Sequence, residues 1–187
     1  KLTGGQAAEV LWNRNARAED FTTVRLGLGR MDISSMIRTP AVRFSIRSDE
    51  LEEQPAKLKA DYQTILQIPS LLCIGQHKLT GIIGEQARVQ EVVRNIVLQL
   101  AMLHSYTDVR LIGLFREDEQ ELFSWLRWLP HVFSPDKSHR LLACSEADYQ
   151  AVLSYLLDVL RARDSRDALQ SGEAPLPVYV VLCTDPK

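Results

Sequence analysis

The feature that most constrains the fold is an alternation between short apolar runs and longer stretches with helical spacing. Five apolar runs are predicted as strands: Leu71 to Ile74, Leu79 to Ile83, Val109 to Leu114, Leu141 to Cys144 and Val178 to Cys183. Helices are predicted between them over Glu85 to His104, Glu117 to Leu129 and Glu146 to Arg163. Such alternation is typical of βαβ units. It predicts a three-layer α/β fold with a mostly parallel sheet.

The N-terminal part of the chain has a different pattern. From Phe21 to Gly29 apolar and polar residues alternate as in a half-buried strand, and Val42 to Ile46 repeats the pattern. We expect these two runs to pair as a small antiparallel unit. The spacing predicts a helix from Leu51 to Gln67. Residues 1–50 are therefore interpreted as an N-terminal extension and residues 51–187 as the main domain.

Composition narrows the class of protein. The 22 basic and 24 acidic residues give a net charge of -2, which creates no overall attraction to nucleic acid. The three cysteines are far apart in apolar runs and predict buried, reduced thiols. The chain has no run of 18 apolar residues and no leader, and it begins without Met. These features indicate an excised fragment without a membrane span.

A predicted strand-to-helix turn contains the first candidate site. Gly81 and Gly84 lie where a phosphate-binding loop would precede a helix, whose free N–H groups favour an anion. A working loop also needs a Lys and a Ser or Thr, and neither is present. Glu85 adds a carboxylate and Arg88 a cation. Two interpretations fit this segment. Gly81, Gly84, Glu85 and Arg88 form either a degenerate nucleotide-binding loop or a tight turn without a binding role.

Asp185 is the candidate catalytic residue. It directly follows the apolar run that ends at Cys183 and Thr184, as a magnesium-ordering Asp follows a Walker B strand. Pro186 occupies the position of the usual second acidic residue. This spacing predicts a site without the group that polarises the attacking water.

Other reactive side chains have simpler interpretations. His131, His139 and Cys144 lack zinc-ligand spacing, so no metal site is predicted. Ser145 precedes acidic residues and is interpreted as a helix N-cap. Trp125 and Trp128 are three residues apart and are predicted to pack on the sheet from one helical face.

Several short motifs resemble one family in the same order along the chain. The first are Leu11-Trp12-Asn13-Arg14, Asp20-Phe21 and Val24-Arg25-Leu26-Gly27-Leu28-Gly29; then come Gly81-Ile82-Ile83-Gly84, Leu103-His104-Ser105, Asp108-Val109-Arg110-Leu111 and Trp125-Leu126-Arg127-Trp128-Leu129-Pro130-His131. They resemble landmarks of the type VII secretion ATPases EssC and EccC, in the FtsK/SpoIIIE superfamily. The resemblance covers Leu11 to Asp185.

The resemblance implies a degenerate RecA-like P-loop ATPase fold in the first cytosolic module of a secretion motor. The full-length protein would be anchored at the cytoplasmic face of the bacterial membrane by a transmembrane segment absent here. Its implied partners are other motor modules and subunits and Esx-type secreted proteins, without nucleic acid. Aligned on the His-Ser turn, the family's loop lysine falls on Val89, beside Arg88. ATP and Mg²⁺ would bind weakly, and no resident cofactor is expected.

Four functions stay open at this point. The first is a structural and regulatory module that links the membrane part to the ATPase modules. The second is an active or composite ATPase that uses Arg88, Glu85 and Asp185 with a neighbouring subunit. The third is part of an FtsK-like DNA translocase, and the fourth is an unrelated flavodoxin-like domain.

Overall fold

A computed structural model describes residues 11–34, 36–39, 50–164 and 176–184. The strands are β1 (Thr23–Asp32), β2 (Thr64–Cys73), β3 (Val109–Leu114), β4 (Leu142–Ala143) and β5 (Val178–Cys183). The helices are α1 (Glu50–Asp61), α2 (Gln86–Leu103), α3 (Gln120–Phe123) and α4 (Glu146–Asp164). Short 3-10 helices cover Glu117–Glu119, Ser124–Trp128 and Pro130–Val132.

The central sheet is parallel, with strand order β4-β3-β5. Val109–Leu114 pairs in full register with Val178–Cys183, and Gly113 and Leu114 pair with Leu142 and Ala143. The predicted α/β class is therefore confirmed, as are strands β3 and β5. Helices α2 and α4 also lie within one residue of their predicted bounds at each end.

Helices cover the parallel sheet on both faces. Alternate residues of β3 point to opposite sides, as in any strand. Leu111 joins the buried cluster that contains Val97 and Leu100 of α2. Ile112 joins a second cluster with Val152 of α4. The sheet therefore lies between α2 on one face and α4 on the other, which is the predicted three-layer arrangement.

The first strand pairs with a segment that the sequence pattern did not identify as its partner. Strand β1 pairs antiparallel with β2, from Thr23 opposite Cys73 to Asp32 opposite Thr64. The run Val42 to Ile46 lies outside the described residues. The predicted helix from Leu51 to Gln67 ends at Asp61, because residues from Thr64 onward pair with β1 instead. Helical spacing over a few apolar positions does not outweigh a ladder of backbone hydrogen bonds.

Two predicted strands of the parallel sheet are corrected. Leu71 to Cys73 form the end of β2 in the antiparallel ribbon. Leu79 to Ile83 form no strand, so the predicted βαβ unit from Leu79 to Leu114 is wrong. Leu79 is 94% exposed and Ile83 99% exposed. An apolar run becomes a strand only when a neighbouring strand satisfies its backbone groups.

The predicted helix from Glu117 to Leu129 is broken into 3-10 and α-helical turns. Trp125 packs against the core, but Trp128 is 79% exposed, so the prediction that both pack on the sheet is wrong for Trp128. The three cysteines are free, as expected, but none is fully buried: Cys73 and Cys144 are half-buried and Cys183 is exposed. Ser145 is confirmed as a helix cap, since its hydroxyl accepts the Asp148 N–H at 3.3 Å.

Candidate functional site

The start of α2 carries the four residues of the predicted nucleotide loop. Glu85 has extended backbone angles, and its side chain forms no capping hydrogen bond. Its carboxylate lies 3.8 Å from the Arg88 guanidinium, with 75% and 81% of these side chains exposed. Around Gly81, no atom beyond its chain neighbours lies within 4 Å of where a Cβ would stand. Gly81 therefore lies in open space, Gly84 has Val89 Cγ2 3.6 Å from its Cβ position, and the segment that contains both glycines forms no strand.

Asp185 lies outside the described residues, and its catalytic assignment stays a prediction. Strand β5 ends at Cys183, and the Thr184 N–H donates to the Leu114 carbonyl at 3.2 Å. The chain therefore reaches the carboxyl edge of the sheet one residue before Asp185.

A cluster around two buried histidines, which we call the histidine junction, lies at the other end of α2. It consists of Trp12, Thr22, His104, Tyr106 and His131. The His104 side chain is fully buried; its Nε2 accepts the Thr22 N–H at 3.1 Å, and its Nδ1 lies 3.2 Å from the Leu100 carbonyl. Since Nε2 accepts, Nδ1 carries the proton and donates. Both ring nitrogens therefore have a partner.

The second histidine of the junction packs directly on the first. His131 is 1% exposed, and its Nε2 lies 2.9 Å from the backbone carbonyl of His104, to which it donates. The rings of Trp12 and Tyr106 meet its imidazole edge-on, at centroid distances of 6.5 and 6.4 Å. Nδ1 of His131 is buried without a hydrogen-bond partner among the described residues.

The N-terminal segment caps the end of α2. The last carbonyls of a helix have no partner inside the helix and need one from elsewhere. Here the Trp12 indole N–H donates to the Ala101 carbonyl at 3.0 Å. The backbone N–H groups of Trp12 and Arg14 donate to the carbonyls of Met102 and Leu103 at 2.8 and 3.0 Å. Residues 12–14 are therefore held against the helix by three hydrogen bonds.

Burial controls the charge of the junction. Burial lowers the pKa of His104 and of His131 below the ordinary value of 6.5. The nearby Arg110 guanidinium also disfavours a charged His131. Two neutral imidazoles at neutral pH, each bonded to backbone, form a rigid structural contact.

Sequence reasoning missed this junction, although the motifs that carry the family resemblance contain its residues. Trp12, His104 and His131 come from three separate motifs, and Thr22 follows a fourth. Nothing in the spacing of these motifs along the chain indicates that they meet in the fold. The structure brings them together, and it leaves Gly81, Gly84, Glu85 and Arg88 at the opposite end of α2.

Neither a metal-binding cluster nor a membrane-spanning helix is present among the described residues. Within them, no group of three or more His, Cys, Asp or Glu side chains could hold a metal ion. None of the described helices combines the length and the apolar character needed to cross a bilayer.

Comparisons with known proteins identify relatives. No protein-family model matches the chain. The chain is 30% identical over 181 residues to the ESX secretion system protein EccC of Geobacillus thermodenitrificans, which covers 96% of the chain and 12% of that protein. It is 24% identical over 168 residues to the ESX secretion system protein YukB of Bacillus subtilis, covering 89% of the chain and 11% of YukB.

A third relative agrees with these two. The type VII secretion system protein EssC of Staphylococcus aureus (strain MSSA476) is 25% identical over 182 residues, covering 95% of the chain and 12% of EssC. The chain thus spans about an eighth of the length of these curated relatives. Similarity over nearly the whole chain makes it a homologue of one module of the type VII secretion proteins EccC, YukB and EssC.

Proposed function

We propose that this chain is a cytosolic module of a type VII secretion motor and couples the membrane part to the ATPase modules without hydrolysing ATP itself. The full-length protein would lie at the cytoplasmic face of the bacterial membrane and export Esx-type proteins. The relatives support the assignment to a secretion system. The two ends of α2 support a coupling role without ATP hydrolysis.

The start of α2 carries the argument against nucleotide chemistry. A triphosphate needs a loop that wraps its oxygens, a cation on the terminal phosphates and a hydroxyl for magnesium. Here the segment before the helix is open, and the Glu85 carboxylate lies at the helix start. Arg88, a cation in the first turn of the helix, lies beside Glu85 in solvent. The open segment without a lysine or a magnesium-binding hydroxyl at the helix start is the observation on which the proposal depends, because nothing in it would hold a triphosphate.

The histidine junction supports the coupling role. A module that transmits movement from a preceding segment must hold that segment firmly. Residues 12–14 are bonded to the last turn of α2, and α2 packs through Val97 and Leu100 onto the central sheet. A displacement of the N-terminal segment would therefore move α2 and the sheet with it.

Calorimetric titration of the purified chain with Mg-ATP tests the proposal that this module does not bind or hydrolyse ATP. We expect no heat of binding up to millimolar nucleotide and no hydrolysis. ATP hydrolysis by the unaltered chain that disappears in the Asp185→Ala variant would overturn the proposal. It would show that the module is an active ATPase. A matched variant, Glu85→Gln, removes the repelling carboxylate and should leave both results unchanged, since the loop and the lysine are still missing.

The coupling role needs the full-length protein. There we expect His104→Ala to reduce secretion while Asp185→Ala leaves both the total ATPase rate and secretion unchanged. His77→Ala, at an exposed histidine outside the junction, serves as the control. Normal secretion by a His104→Ala protein present at normal abundance would contradict the coupling role.

A further inference from the structure

A cleft opens at the carboxyl ends of β3 and β4, on a part of the molecule that the proposed function does not use. Its volume is about 450 Å³. In open α/β sheets, ligands bind in the crevice outside the carboxyl ends of the strands, and this volume falls within the range of ligand sites. We propose that this carboxyl-edge cleft binds an extended peptide segment in which one carboxylate side chain is flanked by apolar side chains.

The floor of the cleft is apolar. The rings of Phe115 and Phe123 are stacked with centroids 3.9 Å apart and an interplanar angle of 4°. Leu142 and Val152 complete the floor. Phe115 and Val152 are only 2% and 3% exposed, so the floor is fixed by the core beneath it. An apolar side chain laid on this floor would leave water without disturbing the fold.

The rim carries a small excess of positive charge. Arg127 and Arg140 line the cleft, and among the described residues neither has a carboxylate partner. Asp148 also lines it, but the hydroxyl of Ser145 donates to that carboxylate at 2.7 Å. Guanidinium groups match a carboxylate in bidentate geometry. With two arginines and one aspartate, the lining suits a single carboxylate better than a polyphosphate.

The turn that carries half of the rim is held in place before any ligand arrives. The Asp136 carboxylate accepts the Ser138 N–H at 3.2 Å and the Ser134 hydroxyl at 2.5 Å. The Ser134 hydroxyl oxygen in turn accepts the His139 N–H at 3.0 Å. The hydrogen bonds from Ser134 and Ser138 hold the pKa of Asp136 well below its usual range. A preorganised rim lowers the entropic cost of binding.

Uncharged polar groups around the rim favour a peptide over a small acid. Gln120, Ser124 and Ser138 line the cleft besides the arginines. Amide and hydroxyl groups both donate and accept hydrogen bonds, as the alternating N–H and C=O groups of a peptide backbone require. The apolar floor, the two guanidinium groups and these polar groups together match a short acidic and apolar segment.

Fluorescence anisotropy with a labelled, end-capped hexapeptide tests the proposal. The probe has a glutamate between two leucines, and its matched control has glutamine in that position. We expect saturable binding of the glutamate peptide and at least about tenfold weaker binding of the glutamine peptide, because charge-assisted hydrogen bonds are lost. Equal affinity for the two peptides, or no binding at 1 mM protein, would overturn the proposal.

Variants locate the binding site. Arg127→Ala and Arg140→Ala should each weaken binding of the glutamate peptide by about tenfold. Ala151→Trp should weaken it by filling the cleft without a change of charge. Arg30→Ala, at an exposed arginine on β1, is the control and should bind normally. Thermal unfolding of each variant checks that it is folded.

A competition experiment with Mg-ATP distinguishes failure of this proposal from failure of the proposed function. Mg-ATP should not displace the bound peptide. Displacement that depends on Arg127 and Arg140 would overturn the peptide assignment in favour of a phosphate ligand. Hydrolysis dependent on Asp185 would contradict only the proposed function.

Discussion

One side chain, His104, joins three parts of the chain. Its imidazole contacts the Thr22 backbone, the last turn of α2 and the ring of Phe21, whose centroid lies 5.2 Å away. A buried polar group without a partner costs free energy, so the two hydrogen bonds are what allow an imidazole in the core. The exposed pair of Glu85 and Arg88, by contrast, contributes little to stability because water screens it.

Replacing His104 should therefore be costly. We expect His104→Ala to lower the free energy of unfolding by about 2–4 kcal/mol, since it leaves a cavity and strands the Thr22 N–H. Urea unfolding followed by tryptophan fluorescence measures the change. His77→Ala, at an exposed histidine, should stay within about 0.5 kcal/mol of the unaltered chain. Equal midpoints for the two variants would contradict this account of the junction.

At the scale of elements, the segment from Ser124 to Trp128 shows how the type of helix selects the buried face. A 3-10 helix has three residues per turn, so side chains three apart lie in one row. The buried row contains Phe123 and Leu126, which are 9% and 1% exposed, and partly buried Leu129 continues it. The two tryptophans lie in the neighbouring row. Trp125 is covered because the Arg94 guanidinium of α2 lies 5.8 Å from its ring centroid.

The two tryptophans should therefore differ in their effect on stability. We expect Trp125→Ala to lower the free energy of unfolding by about 2 kcal/mol, because its ring packs against the core. Trp128→Ala should change it by less than about 0.5 kcal/mol, since the side chain is 79% exposed. Chemical unfolding of both variants gives the comparison. A larger loss for Trp128→Ala would show that the row assignment is wrong.

For the whole molecule, the main core extends from the parallel sheet into the antiparallel ribbon. Val24 of β1 is 1% exposed and belongs to the same cluster as Leu100 and Val109. The amide of Gln99 on α2 also donates to the Arg25 carbonyl at 2.8 Å. Ribbon, helix and sheet therefore share one core, and a change in the charge of that core affects the entire fold.

Acidification should destabilise the whole molecule. Because burial lowers the pKa of His104 and His131, the unfolded chain takes up protons at a higher pH than the folded chain does. Their contribution to stability is complete above pH 6.5 and is lost as pH falls toward the folded pKa values. We expect a loss of up to about 1.4 kcal/mol per imidazole for each pH unit below this point. Urea titrations between pH 8 and pH 5.5 measure it.

Two carboxylates with lowered pKa values keep their charge in that range. The pKa values of Asp136 and Asp148 are lowered by hydrogen bonds from neighbouring serines, so both carboxylates stay ionised throughout it. A flat stability between pH 8 and pH 5.5 would mean that the two imidazoles are exposed to solvent, contrary to the structure.

Elements whose signal is local could be predicted from the amino-acid sequence. Strands β3 and β5 are continuous apolar runs, and α2 and α4 have long helical periodicity, so their bounds could be predicted. The Ser145 cap depends on a residue three positions away. Local signals also placed Gly81, Gly84, Glu85 and Arg88 at a helix start.

Strand pairing and the histidine junction depend on residues that are distant in sequence, so they are visible only in the folded chain. Thr64–Cys73 is a strand because it pairs with β1. Leu79 to Ile83 has no paired strand among the described residues and forms none itself. The histidine junction joins residues 82 positions apart at Thr22 and His104. Backbone groups and imidazoles are satisfied by whichever partner the folded chain brings near, and periodicity along the sequence carries no information about that partner.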